Sequence, residues 1–170
     1  MTHHSQASSS QPNGLDCSTQ NPHVRLATQE DVDYIAENMR EADILELSLA
    51  TGHSPAEALD NVVDGETTWV GVYDGVPEVI FGVIPHPEIP NWGVPWLLGT
   101  DNIIKFRTAF IRTSYETVNS WINKYEVLTN FVHVDNTISK RWLKMLGFVI
   151  FPEAPLGNRG GRFNLFMRKK

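Results

Sequence analysis

The chain has a single cysteine, Cys17, among its 170 residues. One cysteine excludes an intrachain disulfide and a zinc site built from several thiolates. The six histidines do not recur at metal-ligand spacings, so we expect no metal site. Basic residues number 14 and acidic residues 20, and the net charge of -6 argues against nucleic-acid binding as the main task.

Long apolar runs and several nucleotide-binding patterns are also missing. No stretch is long enough and apolar enough to cross a bilayer, so we expect no membrane association. No basic segment followed by an apolar one opens the chain, which predicts a protein that is not secreted. The sequence has no G-x-S-x-G nucleophile elbow, Walker loop or dinucleotide fingerprint, which argues against the corresponding chemistries.

A single domain is predicted to follow a polar tail. Residues 1–22 are rich in Ser, Gln, Asn, Thr and Pro and offer little apolar surface to bury, so they predict a flexible tail. Residues 23–170 are enough for one hydrophobic core without disulfides or a structural metal.

Local signals divide this domain into helices and strands. Thr28 and Ser54 each begin a capping sequence, and both predict the start of a helix. Asp74-Gly75 predicts a tight hairpin, and the apolar residues 79–83 after it predict a central strand. The prolines at 85, 87, 90 and 95 predict a loop outside the sheet. The predicted order is β-α-α-β-β-β-α-β-α-β-β, an α/β sandwich with a mixed sheet flanked by helices.

Residues 132–148 form the most distinctive segment. Asn136 is suited to cap a short helix, and Gly147 is suited to end it in the left-handed conformation. The sequence motif N-x-x-S-x-x-W-L-x-x-x-G-F resembles the fourth-helix segment of the GNAT superfamily of N-acetyltransferases. The predicted element order is also that of the GNAT fold. The resemblance implies that the fourth and fifth strands splay apart and admit acetyl-CoA.

Several further segments carry a second resemblance. They are Ile44-Leu45-Glu46 with Gly52, residues 96–101, Lys124-Tyr125, residues 130–137, Leu143-Lys144 with Gly147, and residues 161–166. In these segments the chain more closely resembles the small internal virion protein A family of short-tailed phages, whose members have a degenerate acetyltransferase fold. This resemblance implies a phage protein that acts in the host cell cytoplasm, with a host protein as partner.

The GNAT resemblance also implies where acetyl-CoA would bind. In that fold the pyrophosphate lies on free backbone amides at the start of the third helix, where the helix dipole favours an anion. The matching stretch here has one glycine, and Asp101 adds a negative charge that is equally suited to cap an ordinary helix. The implied cofactor-binding residues are Gly99, Thr100, Asn102, Lys105 and Arg107, with Asn136 and Ser139 at the fourth helix.

Acyl transfer to an amine requires a base and a donor that polarises the thioester carbonyl. His133 and Asp135 on the fifth strand are the candidate catalytic residues. His86 and Glu88 in the proline-rich loop are further candidate bases. The pattern at His133 is better explained by a half-buried strand histidine with a satisfied hydrogen bond. Trp92 and Trp96 are candidates for an acceptor pocket, although Trp96 fits a core position.

The proton donor of the family is absent. Many members have a tyrosine in the fourth helix that protonates the departing thiolate, and Leu143 stands at that position here. Two functions therefore stay open. One is an acyl-CoA-dependent acyltransferase that acts on a host protein or a small amine. The other is an inactive protein of the same fold that assists virion assembly or binds host enzymes.

Overall fold

A computed structural model describes residues 22–156 and 159–170. The predicted flexible tail, residues 1–22, lies outside the described residues apart from Pro22. The described residues form one seven-stranded sheet in the order β1-β2-β3-β4-β5-β7-β6. Neighbouring strands are antiparallel except β4 and β5, which are parallel. The strands are β1 His23–Leu26, β2 Thr68–Tyr73, β3 Val76–Pro85, β4 Trp92–Gly99, β5 Val127–His133, β6 Val149–Leu156 and β7 Gly161–Lys169.

Helices cover both faces of this sheet. The predicted mixed sheet flanked by helices is confirmed, with an extra helical turn between β1 and β2. The helices are α1 Gln29–Glu37, α2 Glu41–Ala50, α3 Pro55–Ala58, a 3-10 helix Asp101–Phe106, α4 Arg107–Lys124 and α5 Thr137–Met145.

The predicted local signals are present in the structure. Thr28 and Ser54 each cap their helix through a reciprocal capping box. The hairpin between β2 and β3 turns at Asp74 and Gly75, whose φ angles of 50° and 79° suit a tight two-residue turn. Gly147 has a φ of 85°, the left-handed conformation that ends α5.

The core has one layer of helices on each face. The helices α1, α2 and α3 cover one face, and α4 and α5 cover the other. Buried residues that define the first layer are Val32, Ile35, Met39, Leu59, Val70, Val72 and Ile80, and those of the second are Val118, Ile122, Leu128, Val132, Leu143, Leu146, Phe148 and Phe166. The sheet therefore separates two compartments, and a gap between strands would join them.

The prediction that Pro85 and Pro95 lie in a loop outside the sheet is wrong. Pro85 ends β3, where it is paired with Gly93. Pro95 is within β4 and is paired with Val83 of β3. Its carbonyl accepts a hydrogen bond from Asn130 of β5, so its backbone polar side faces away from β3. A proline is tolerated there because its missing N–H breaks no hydrogen bond to the paired strand.

Candidate active site

The strands β4 and β5 pair at one end and then separate. Their parallel pairing covers Trp92 with Val127 and Gly93 with Leu128, and no further pair occurs among the described residues. Thr100 N–H donates to Glu78 O of β3 at 3.0 Å, so even-numbered positions of β4 bond to β3. The polar backbone groups of positions 95, 97 and 99 therefore face the gap. The splay that the resemblance implied is thus present.

Asn130 bridges the first position of the gap. Its Nδ2 donates to Pro95 O at 2.9 Å, and its Oδ1 accepts from Phe131 N–H at 2.8 Å. A single hydrogen bond from an amide side chain thus links the two strands where the backbone hydrogen bonds between them are missing. The gap is held open at a width that a side chain spans.

Helix α2 occupies the far end of the gap. Gly99 N–H donates to Asp43 Oδ2 at 2.9 Å, and Arg40 N–H donates to Gly99 O at 3.0 Å. Asp43 is 2% exposed and forms a two-point ion pair with Arg40, at 2.7 and 2.8 Å. The last residue of β4 on this edge therefore has both backbone groups satisfied.

Leu97 lies between these two bridged positions. Its N–H and C=O face the gap and have no hydrogen-bond partner within residues 22–156 and 159–170. A backbone donor held on a strand edge in this way is available to a carbonyl oxygen of a ligand.

Glu46 closes the opposite edge. Its Oε1 accepts from His133 N–H of β5 at 3.0 Å and from Asn136 Nδ2 at 2.8 Å, whereas its Oε2 has no partner in the described part of the chain. Burial raises the pKa of the Glu46 carboxyl, and the nearby negative charge of Asp43 adds to this, against the two hydrogen bonds and the charge of Arg40. A carboxylate with a raised pKa and a free oxygen is a suitable general base.

A cavity of about 660 Å³ passes through the gap and joins the two compartments. Leu97, Glu46 and Phe131 line it at the splay. Its walls on the α4–α5 side include Phe110, Thr113, Thr117, Trp121 and Trp142, and those on the α2–α3 side include Leu47, Ala50, Ala58, Leu59 and Val62.

Trp142 carries an unsatisfied polar group in this cavity. Its ring stacks on Phe110 of α4 with centroids 5.2 Å apart. Its Nε1 is the one buried side-chain nitrogen or oxygen without a hydrogen-bond partner in the described residues. Such a donor is costly unless a ligand or water accepts from it.

The predicted catalytic pair His133 and Asp135 is brought together, but away from the cavity. His133 is 8% exposed, and its ring meets the edge of Phe163 with centroids 5.4 Å apart. Its Nδ1 accepts from Asp135 N–H at 3.3 Å, and the Asp135 carboxylate is 87% exposed. The ring therefore fits the other interpretation, a strand histidine whose hydrogen bond is satisfied. The backbone N–H of His133 instead anchors Glu46.

The further candidate bases lie at the closed end of the splay. His86 Nδ1 accepts from Glu88 N–H at 3.2 Å and from Ile89 N–H at 3.1 Å, so it organises its own turn. Its ring meets Trp92 with centroids 6.0 Å apart, and both line a separate pocket of about 170 Å³. Trp96 instead packs beside the core under α1–α3 and lines the large cavity.

The predicted phosphate stretch folds differently from a continuous helix. Its first six residues after Thr100 form the 3-10 helix, and α4 begins only at Arg107. The cap is Thr100 rather than Asp101, because Thr100 Oγ1 accepts from Asn102 N–H at 3.2 Å. Lys105 Nζ donates to Asn102 Oδ1 at 2.6 Å, and Lys105 and Arg107 are exposed. Two cations therefore stand at the start of α4.

The two residues assigned at the fourth helix meet α2. Asn136 Oδ1 accepts from Ser139 N–H at 3.1 Å and so caps α5, while its Nδ2 holds Glu46. Ser139 Oγ accepts from Arg40 Nη2 at 3.3 Å, and Ser139 lines the cavity. Sequence reasoning missed the roles of Arg40, Asp43 and Glu46. The available signal was two acids three residues apart on a helix that is otherwise largely apolar.

The described residues contain no group of three or more His, Cys, Asp or Glu side chains placed to hold a metal ion. Among the same residues, no helix has the length and apolar character needed to span a bilayer.

No family model and no curated protein matches the chain. Solved structures do match it. A GCN5-related N-acetyltransferase from Kribbella flavida is 17% identical, with a TM-score of 0.65 over 88% of this chain and 98% of that one. A GNAT-family acetyltransferase from Bacillus anthracis is 11% identical, with a TM-score of 0.65 over 90% of this chain and 97% of that one.

The protein yncA from Salmonella typhimurium, solved with its cofactor acetyl-CoA, is 13% identical, with a TM-score of 0.59 over 88% of this chain and 94% of that one. These likenesses span nearly the whole of each neighbour and agree with the strand order and the splay. The chain therefore has the fold of the GNAT N-acetyltransferases.

Proposed function

We propose that the protein is an acyl-CoA-dependent N-acyltransferase that uses acetyl-CoA. The observation that carries the proposal is that a backbone donor and a carboxylate are both present at the splay. Leu97 of β4, whose N–H has no partner in the described residues, and Glu46, which is held at the β5 edge and has one free oxygen, line the same cavity. The fold shared with a neighbour solved with acetyl-CoA supports the choice of cofactor.

The residues on the α4–α5 side fit the pantetheine arm of that cofactor. This arm carries amide carbonyls, and the buried Trp142 Nε1–H needs an acceptor. Thr113 and Thr117 add hydroxyls to the same wall. Lys105 and Arg107, near Gly99, Thr100 and Asn102, would supply the positive charge for the phosphates.

Three groups of this chain would carry the reaction. Acetyl-CoA, when bound, supplies a thioester carbonyl that an amine attacks. Leu97 N–H would donate to the carbonyl oxygen, where negative charge develops. Glu46 would accept the proton of the amine, and its raised pKa suits it to that step. Leu143 is buried and offers no hydroxyl, so the leaving sulfur receives no proton from that position.

Glu46 is proposed as the base in preference to His133 and Asp135. The His133 ring is buried against Phe163 and does not line the cavity, and the Asp135 carboxylate is exposed to solvent. His133 then has a positioning role, because its backbone N–H holds Glu46 Oε1.

The sequence resemblance adds a proposed setting. It supports a phage-encoded protein that works in the host cytoplasm on a host protein or a small amine. A second function, a non-catalytic protein of the same fold in virion assembly or host-enzyme binding, is favoured by Leu143 at the tyrosine position and by the 3-10 helix at the phosphate stretch.

Calorimetric titration with acetyl-CoA, followed by a thiol-release assay with a panel of amines, tests the proposal. We expect binding, and release of CoA that depends on the amine and on Glu46. No binding and no thermal stabilisation at millimolar acetyl-CoA would refute the acyltransferase, because a ligand of the folded state must stabilise it. Binding with no thiol release from any acceptor would favour the non-catalytic function.

A further inference from the structure

The cavity wall on the α2–α3 side is predominantly apolar. Five apolar side chains from α2, α3 and the following turn line it, and the polar residues Thr51, Asn61, Thr67 and Thr68 line the same cavity; the apolar five are Leu47, Ala50, Ala58, Leu59 and Val62. Trp96 and Leu98 of β4 pack on the same side of the sheet. A ligand that enters from this side therefore meets hydrocarbon before it reaches the splay.

One carboxylate oxygen faces this apolar space without a partner. Asp43 is neutralised by its two-point ion pair with Arg40 and also accepts from Gly99 N–H. Arg40 Nη2 also donates to Ser139 Oγ at 3.3 Å. Near the splay, Glu46 is thus the described lining acid that is not ion-paired, and Leu97 lines the same cavity.

The other ionisable groups of this wall are at its outer rim. Asp64 is exposed, and its oxygens accept from Glu66 N–H at 2.9 Å, from Thr67 N–H at 2.8 Å and from the Thr67 hydroxyl. His53 is also exposed. Neither adds a charge to the apolar stretch between rim and splay.

We propose that the acceptor is a small primary amine on an apolar body, an alkylamine or arylalkylamine; this rests on the acyltransferase function proposed above. The ammonium end is recognised by Glu46, and the hydrocarbon displaces water along the wall, which raises affinity about threefold to fourfold for each buried methylene. A second ammonium would be moved from water into hydrocarbon with no partner, which is strongly unfavourable. In the transfer, the ammonium first gives one proton to Glu46, and the neutral amine nitrogen then forms the new C–N bond as the C–S bond breaks. CoA leaves as the thiolate, which takes up the second nitrogen proton to become the thiol.

The test compares hexylamine with 1,6-diaminohexane, which differ by one terminal amino group. Thiol release gives kcat/KM with acetyl-CoA, and ligand-observed NMR gives amine binding to the protein without cofactor. We expect hexylamine to exceed the diamine by about tenfold or more in both measurements, and propylamine to be weaker than hexylamine. Spermidine and a lysine-containing peptide complete the panel.

Ala50→Glu adds a carboxylate to the apolar wall, and Ala50→Gln is its matched neutral control. The Glu variant should raise diamine binding relative to hexylamine, whereas the Gln variant should leave the order unchanged. A wild-type preference for the diamine, spermidine or the peptide overturns the acceptor class. Because amine binding is measured without cofactor, a protein that binds no acetyl-CoA would refute the acyltransferase while the order of amine binding still decides the ligand class.

Discussion

Replacing Glu46 by Gln separates the chemistry of this position from its role in the fold. The Gln carbonyl oxygen can accept the same hydrogen bonds from His133 N–H and Asn136 Nδ2, now 3.0 and 2.8 Å long. It cannot accept a proton. Loss of a positioned general base lowers kcat by about 10² to 10⁴-fold, so we expect a drop in that range in the thiol-release assay.

Although Glu46→Gln should lower activity, it should raise the free energy of unfolding relative to the wild type at high pH. Burial raises the pKa of the Glu46 carboxyl above its ordinary value of 4.5, so the folded state holds this proton at higher pH than the unfolded state does. The contribution of this carboxyl to stability is therefore full below 4.5 and is lost as the pH rises through the raised pKa. The free energy of unfolding of Glu46→Gln should lie within about 1 kcal/mol of the wild-type value at pH 5. At pH 8 the variant should be the more stable of the two proteins.

Glu46→Ala is the matched control for the structural role. It removes the acceptor and leaves two donors, His133 N–H and Asn136 Nδ2, without a partner, at about 1–3 kcal/mol for each donor that stays buried. Urea unfolding at pH 5 and pH 8 measures all three proteins. A Gln variant with wild-type kcat would refute Glu46 as the base, and an Ala variant as stable as the wild type would refute the bridge between α2 and β5.

Three further changes test the rest of the splay. Leu97→Pro removes the unpartnered N–H on an edge that already carries Pro95, so kcat should fall by about 10² to 10³-fold. The far-UV circular dichroism spectrum should not change, and a wild-type kcat would contradict the donor role. Trp142→Phe keeps the stack on Phe110 but removes a buried donor. Calorimetry should show acetyl-CoA binding weakened by about five- to tenfold, and Tm should be equal or higher. Unchanged affinity would argue against a contact between the cofactor and this indole. Asn130→Ala should cost about 1–2 kcal/mol in urea unfolding, whereas a neutral result would mean that the amide bridge does not hold the gap.

The architecture was predictable because its signals are local. Thr28, Ser54 and Asn136 cap helices through their own side chains, and Asp74-Gly75 turns a hairpin through its own backbone conformation. These effects act within a few residues and so survive in any correct tertiary structure. The prediction for Pro95 is wrong because a proline is accepted in β4 only where β5 no longer pairs with it, and that depends on residues far away in the sequence.

The proposed site residues are less apparent from the sequence, for a physical reason. Residues near the distinctive segment 132–148 are the natural candidates, but Glu46 and Leu97, which line the cavity, come from α2 and β4. Glu46 meets His133, 87 positions later in the chain, through a single oxygen. Its raised pKa arises mainly from burial, which no local pattern encodes. The N–H of Leu97 is available only because the neighbouring strand has moved away.

The pattern of satisfied and unsatisfied groups along the gap itself argues for function. The position at Pro95 is bridged by Asn130 and the position at Gly99 by Asp43, so the chain supplies partners wherever the gap needs only to be stable. Between them the N–H of Leu97 has no partner in the described residues, and two further groups, Glu46 Oε2 and the buried Trp142 Nε1–H, also have none there. A buried donor without an acceptor costs stability. All three residues line one cavity. A protein that used the fold only as a scaffold would gain by pairing or removing them, so their convergence favours a bound ligand with a carbonyl and an amine at this place.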